Sequence, residues 1–203
     1  MPHPFTSVGI QISAPSGRLM HYLGRLLKER HGTKLHLYVR NDLERRGIAR
    51  EDKEGLWESI EVSNRLIPAL QKKVDDPDAV VARARAYEEK IGETINRLTF
   101  EHRQLGRGYS PGGASYPRSA VVTRASYVQM LNAFNETLDF WEDEITTKGL
   151  TLVLNTEKWV ACMCRAMGVN YRKLGFGRYE NYQFWADDEY FRNPFLKSTY
   201  DSL

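Results

Sequence analysis

Between Val8 and Arg40 the chain alternates an apolar run, an amphipathic run and a second apolar run, and this pattern limits the possible folds more than any other feature. Val8 to Ser13 has the β-branched content of a strand, and Ala14-Pro15-Ser16-Gly17 supplies turn chemistry with Ser16 as a candidate helix cap. Leu19, Leu23, Leu26 and Leu27 then recur at helical spacing. Lys28, Arg30 and His31 fall in the last turn, and Gly32 stands where a helix stops. A second strand is predicted from Lys34 to Arg40, with Leu35, Leu37 and Val39 on one side of its pleat. Strand, helix and strand make a βαβ unit, so the strands should be parallel and their crossover right-handed.

The middle of the chain reads as helical. Leu56, Ile60, Ser63, Ile67 and Leu70 suggest an amphipathic helix kinked or split at Pro68, which lacks an amide donor. Asp75-Asp76-Pro77-Asp78 is a break and a cap. Val80, Ala84, Tyr87, Ile91, Ile95 and Leu98 form the stripe of the next helix. Arg124 to Lys148 is again helical, with Tyr127, Leu131, Phe134, Leu138, Trp141 and Ile145 on one stripe and Gly149 at the stop. Leu150 to Leu154 is a buried strand, Thr156 caps a helix carrying Trp159, Val160, Met163 and Met167, and Val169 to Leu174 returns as a strand. The expected fold is therefore α/β: one domain over residues 1–203, a Rossmann-like parallel sheet flanked by helices, with a helix-rich central segment.

Composition narrows the functional classes. A hydrophobic fraction of 41% over 203 residues fills a core, and 29 Lys plus Arg against 26 Asp plus Glu give a net charge of only +3. That balance, without a basic stripe or a reading motif, argues against a specific nucleic-acid partner. No apolar run approaches the ~20 residues of a transmembrane helix. Met1-Pro2-His3-Pro4 is unlike a signal peptide, so the expected location is cytoplasmic, extending to the inner face of the membrane. Cys162 and Cys164 are the only cysteines, and on a shared helix they point apart, which suits neither a disulfide nor a zinc pair. No metal is expected.

The segment Arg103 to Arg118 is the least ordinary. Gly106, Gly108, Gly112 and Gly113 are interleaved with Arg103, Arg107, Arg118, Tyr109 and Tyr116, groups suited to anionic oxygens and to stacking on a sugar. The spacing matches neither a Walker loop nor a dinucleotide fingerprint. Such a run is also ordinary surface-loop chemistry. Glu101 and His102, just upstream, are candidate general bases toward a hydroxyl, or simply solvated side chains. Asp187-Asp188-Glu189 reads as the acidic first turn of a helix rather than a metal site, and Glu142-Asp143-Glu144 as the solvated face of the Trp141 helix.

Three stretches together resemble the amino-terminal domain of bacterial capsular or surface-polysaccharide glycosyltransferases of the two-domain GT-B type. They are the opening strand, Ser-Gly-Arg turn, helix and Leu-Tyr-Val strand; Arg103-Gln104-Leu105-Gly106-Arg107-Gly108-Tyr109 with Tyr116-Pro117-Arg118-Ser119; and Thr151 through Met167-Gly168-Val169 to Gly177-Arg178-Tyr179 and Trp185-Ala186-Asp187-Asp188. The resemblance implies transfer of a sugar from a nucleotide-sugar donor to a glycan acceptor. The acceptor would be bound here and the donor by a second domain or subunit, this domain holding no cofactor and not turning over alone. Glu101 and His102 would be the catalytic candidates, and Ser16, Arg18, Arg103, Arg107, Tyr109, Arg118 and Arg178 the substrate-binding ones. Independently of the resemblance, open α/β sheets bind ligands beyond the carboxyl ends of their strands, and the loop from Gly106 to Arg118 is expected to fold over that edge. The alternative is a noncatalytic helical protein-interaction module, which would need the Leu56 and Val80 helices to expose apolar faces.

Overall fold

The computed structural model describes residues 5–12, 17–100, 125–176, 183–188, 190 and 192–202. The described chain forms two compact units, one of residues 1–63 with 144–203 and one of residues 64–143.

The first unit is built on β1 (Ser7–Gln11), α1 (Gly17–His31), β2 (Lys34–Val39), α2 (Asp42–Glu51) and β3 (Ser59–Val62). Its six-stranded sheet has the order β3-β2-β1-β4-β5-β6 and adds β4 (Leu152–Leu154), β5 (Asn170–Phe176) and β6 (Gln183–Ala186). All neighbours are parallel except β5 and β6. The expected parallel neighbours are present: Ile10 lies in register with Leu37 on one side and with Leu154 on the other. Central strands hydrogen-bonded on both sides need apolar residues on both faces, and Val8, Ile10, Leu35 and Leu37 have no exposed surface.

One face carries the main core, in which Met20, Leu56 and Trp57 pack on Val8, Ile10, Leu35, Leu37, Leu152 and Leu154. Gly24 brings α1 close to it: a Cβ there would sit 3.4 Å from both Leu35 Cδ1 and Trp57 Cη2. Gly32, at φ 63°, ends α1 as the sequence predicts. The opposite face presents Gly9, His36 and Tyr38, one residue out of phase with the core set. Gly9 leaves room for the Tyr38 ring, since a Cβ would approach Tyr38 Cε2 to 2.9 Å.

The second unit holds α3 (Leu66–Ala69), α4 (Pro77–Ile91), α5 (Ile95–Phe100) and most of α6 (Tyr127–Thr147). Asp76 caps α4 by accepting the Ala79 amide at 3.0 Å, as Asp-Asp-Pro-Asp predicts. Asn135 Nδ2 donates to Val80 O at 3.0 Å, Lys72 pairs with Glu136 at 2.6 Å, and Arg65 stacks on Phe140 at 4.5 Å. Ala84, Tyr87 and Ile91 are buried, so the α4 stripe is not the exposed apolar face that an interaction module needs.

Several expectations fail. The helix predicted from Leu56 to Leu70 is instead β3 followed by the short α3. Its apolar spacing straddles two elements, and pairing of β3 with β2 through Leu37↔Ile60 and Val39↔Val62 overrides it. α2 has no counterpart in the predicted elements. None of its residues is buried, so no apolar stripe marks it. After Leu154 come α7 (Lys158–Ala166) and, later, α8 (Pro194–Asp201). Gly92, at φ 70°, separates α4 from α5 where one stripe was predicted. Among the described residues, no helix is long and apolar enough to cross a membrane.

Candidate functional site

The strand order reverses between β1 and β4, because β1 and β2 each lead toward β3 while β4 leads toward β5. Right-handed crossovers then place α1 and α7 on opposite faces, and open parallel sheets bind ligands at such a reversal, beyond the carboxyl ends of the adjoining strands. Here Asn155, at φ 63°, follows β4 and donates through Nδ2 to Gln11 O at 3.2 Å, tying the two strand ends together. Ile12, Gly17 and Arg18 stand on the β1 side. Arg18 is exposed.

The expected cap at Thr156 is not made. The N-cap of α7 is Glu157, with no side-chain hydrogen bond, while Thr156 is fully buried and its hydroxyl has no partner among the described residues. Thr156 is instead held by Tyr171, whose hydroxyl donates to Thr156 O at 2.9 Å two positions before the first residue of the helix.

From Ile12 and Arg18 a groove of about 580 Å³ runs between α1 and the segment around residues 48–57. Its far wall is a loop folded by Asp52, whose carboxylate accepts the amides of Leu56 at 2.8 Å and Trp57 at 3.1 Å. Arg25 Nη2 pairs with Glu54 Oε2 at 2.8 Å, and Lys28 Nζ donates to Gly55 O at 2.7 Å and Leu56 O at 3.1 Å. These bonds attach the loop to α1. His21 meets Trp57 edge-on with centroids 6.0 Å apart, and Tyr22 is 60% exposed. Trp57 is buried, and its Nε1–H has no hydrogen-bond partner among the described residues.

On the other face lies a buried polar network. Tyr38 Oη donates to Glu144 Oε2 at 2.8 Å, and Glu144 is also ion-paired with Lys148. Lys148 Nζ donates to Ser59 Oγ at 2.9 Å and lies 3.5 Å from Glu61 Oε1; Ser59 Oγ is 3.0 Å from His36 Nδ1. Burial and then the Glu144 carboxylate push the Tyr38 phenol well above its usual range. Burial first, then Lys148, lowers the pKa of His36. Glu144, expected on a solvated face, is 8% exposed because Tyr38 and Lys148 draw it inward. Tyr38 has no exposed surface, so this network belongs to the fold rather than to a ligand site.

Of the residues singled out in the sequence, the structure places Arg18 at the carboxyl edge. Ser16, Glu101, His102, Arg103, Arg107, Tyr109, Arg118 and Arg178 lie outside the described residues. The acidic run at Asp187 does not open a helix. Asp188 Oδ1 accepts the amides of Tyr190 at 2.9 Å and Arg192 at 3.1 Å in a turn, and α8 starts at Pro194. Burial raises the pKa of Asp188, but the bonds it accepts from the Arg192 amide and side chain and from the Tyr190 amide together outweigh it, so the net shift is downward. Cys162 and Cys164 are buried and unbridged, and the described residues hold no cluster of three or more His, Cys, Asp or Glu fit for a metal. His21, Tyr22 and Trp57 are additions that the sequence reading did not single out. The fold is an open α/β domain with a Rossmann-like sheet. Comparison with models of known families, with curated proteins and with solved structures finds no match.

Proposed function

We propose that the chain is the acceptor-binding half of a glycosyltransferase of surface-polysaccharide synthesis, working on the cytoplasmic side of the membrane with a sugar donor held by a second domain or subunit. The observation that carries the reading is the groove of ligand size that begins at Ile12 and the exposed Arg18, on the β1 side of the β1/β4 reversal where open parallel sheets bind ligands. Transfer from a nucleotide sugar needs an acceptor hydroxyl held against the donor carbon and stabilisation of the departing phosphate. The Arg18 guanidinium suits an anionic group of the acceptor, such as a uronate, which it engages with paired N–H donors. Arg107, Tyr109, Arg118, Arg178 and Ser16 would add contacts to the acceptor, and Glu101 or His102 would take the hydroxyl proton.

The experiment is calorimetric titration of the chain and of Arg18→Ala with uronate-containing oligosaccharides. Loss of a charge-assisted contact predicts about ten- to a hundredfold weaker binding. The melting temperature should stay unchanged, since an exposed arginine adds little to folding. Equal affinity for both proteins, or no binding to wild type, contradicts the reading.

A further inference from the structure

We infer that the groove between α1 and the 48–57 segment is a subsite for uncharged sugar units of a glycan, an inference that rests on the glycan reading of the carboxyl edge and extends it. Charge selects the ligand class. Three cations (Arg18, Arg25 and Lys53) and three carboxylates (Glu51, Asp52 and Glu54) line the groove, so it carries no net attraction for a nucleotide or another polyanion. Two of the carboxylates are already engaged, Glu54 by Arg25 and Asp52 by two backbone amides. Arg18 stands seven residues before Arg25, about 10 Å along the helix axis, a separation comparable to the screening length of physiological salt. An anionic group at Arg18 and neutral sugars farther along the groove are therefore compatible.

The remaining surface suits a pyranose. Tyr22 lies four residues after Arg18 and three before Arg25, on the same side of α1, and its exposed ring offers a face to the C–H surface of a sugar. His21 and Trp57 add an edge-on aromatic pair to the wall of the groove. The volume of about 580 Å³ lies inside the roughly 300–1,000 Å³ of small-molecule sites.

The test follows tryptophan indole N–H resonances by NMR during titration with maltotetraose, cellotetraose and tetragalacturonate. Trp57→Phe assigns its resonance among the four tryptophans by disappearance. Expected is a saturable shift of the Trp57 signal with a neutral tetrasaccharide, the same at about 0.02 and 0.3 M salt. Tyr22→Ala should weaken it about fivefold or more while leaving the melting temperature unchanged. No saturable shift with either neutral sugar, a response to tetragalacturonate alone that salt abolishes, or full affinity in Tyr22→Ala overturns the inference. Arg18→Ala keeps the two readings apart. Neutral binding that persists while uronate never binds leaves the subsite standing and removes the Arg18 reading; Arg18-dependent uronate binding without a Trp57 response does the reverse.

Discussion

Replacing Glu144 by alanine cuts the buried network at its centre. The substitution removes an acceptor that holds Tyr38 Oη at 2.8 Å and pairs with Lys148. A hydrogen bond to a charged group contributes about 1.5–3 kcal/mol, and breaking a fully buried ion pair costs about 3–5 kcal/mol. Lys148 is not fully buried, its side chain being 16% exposed, and it keeps Ser59 at 2.9 Å and Glu61 at 3.5 Å. The upper figure is therefore discounted, to a loss of about 2–4 kcal/mol. For a chain of this length that lowers the melting temperature by roughly 5–15 °C. Urea unfolding followed by circular dichroism measures the free energy directly. Tyr38→Phe, which removes only the hydroxyl, should cost about 1–2 kcal/mol, and the double variant should fall short of additivity by about 1 kcal/mol. A Glu144→Ala protein within about 0.5 kcal/mol of wild type would behave like one altered at the surface, and the network would then carry no stability.

Two further outcomes follow from the burial of titratable groups. Because the fold lowers His36 from its ordinary 6.5, the unfolded chain takes up a proton first as pH falls, so the stabilising contribution is complete above 6.5 and is lost below it. Melting temperature should therefore fall on acidification from about pH 7.5 to 5, and His36→Gln should flatten that slope; an identical slope in both proteins contradicts the assignment. Burial, and then Cys162, pushes the Cys164 thiol up to about 12. Both cysteines should resist a thiol reagent until the protein is denatured, and stoichiometric zinc lost on Cys162→Ala would overturn the inert reading.

The sheet was legible where short-range pattern and burial agree. β1, β2 and β4 are apolar runs in the sequence because they are covered on both faces, and Gly32, Asp76 and Gly149 mark their helix ends by local chemistry alone. β3 was not legible, since Ile60 and Val62 gain their meaning from pairing with β2 and Ile67 and Leu70 imitate helical spacing beyond it. Glu144 sits in an acidic triplet that reads as solvated, and its partner Tyr38 is 106 residues away. The α1 leucines also mislead in part: Leu19 is 42% exposed, while Met20 and Gly24 face the core. At the candidate site Arg18 was signalled by the turn before α1. Tyr22 and Trp57 were not, because the groove exists only where Asp52 folds the loop and Arg25 and Lys28 tie it to α1.

The central claim is that a glycan binds at the carboxyl edge of the sheet beside Arg18, and mapping backbone amide shifts during titration with a uronate-containing oligosaccharide tests it most directly. The account predicts saturable shifts centred on Ile12, Gly17 and Arg18, with the strand amides of β1 and β4 beneath them following. Shifts confined to the opposite edge of the sheet or to residues 64–143, or no saturable shift at all, would contradict it.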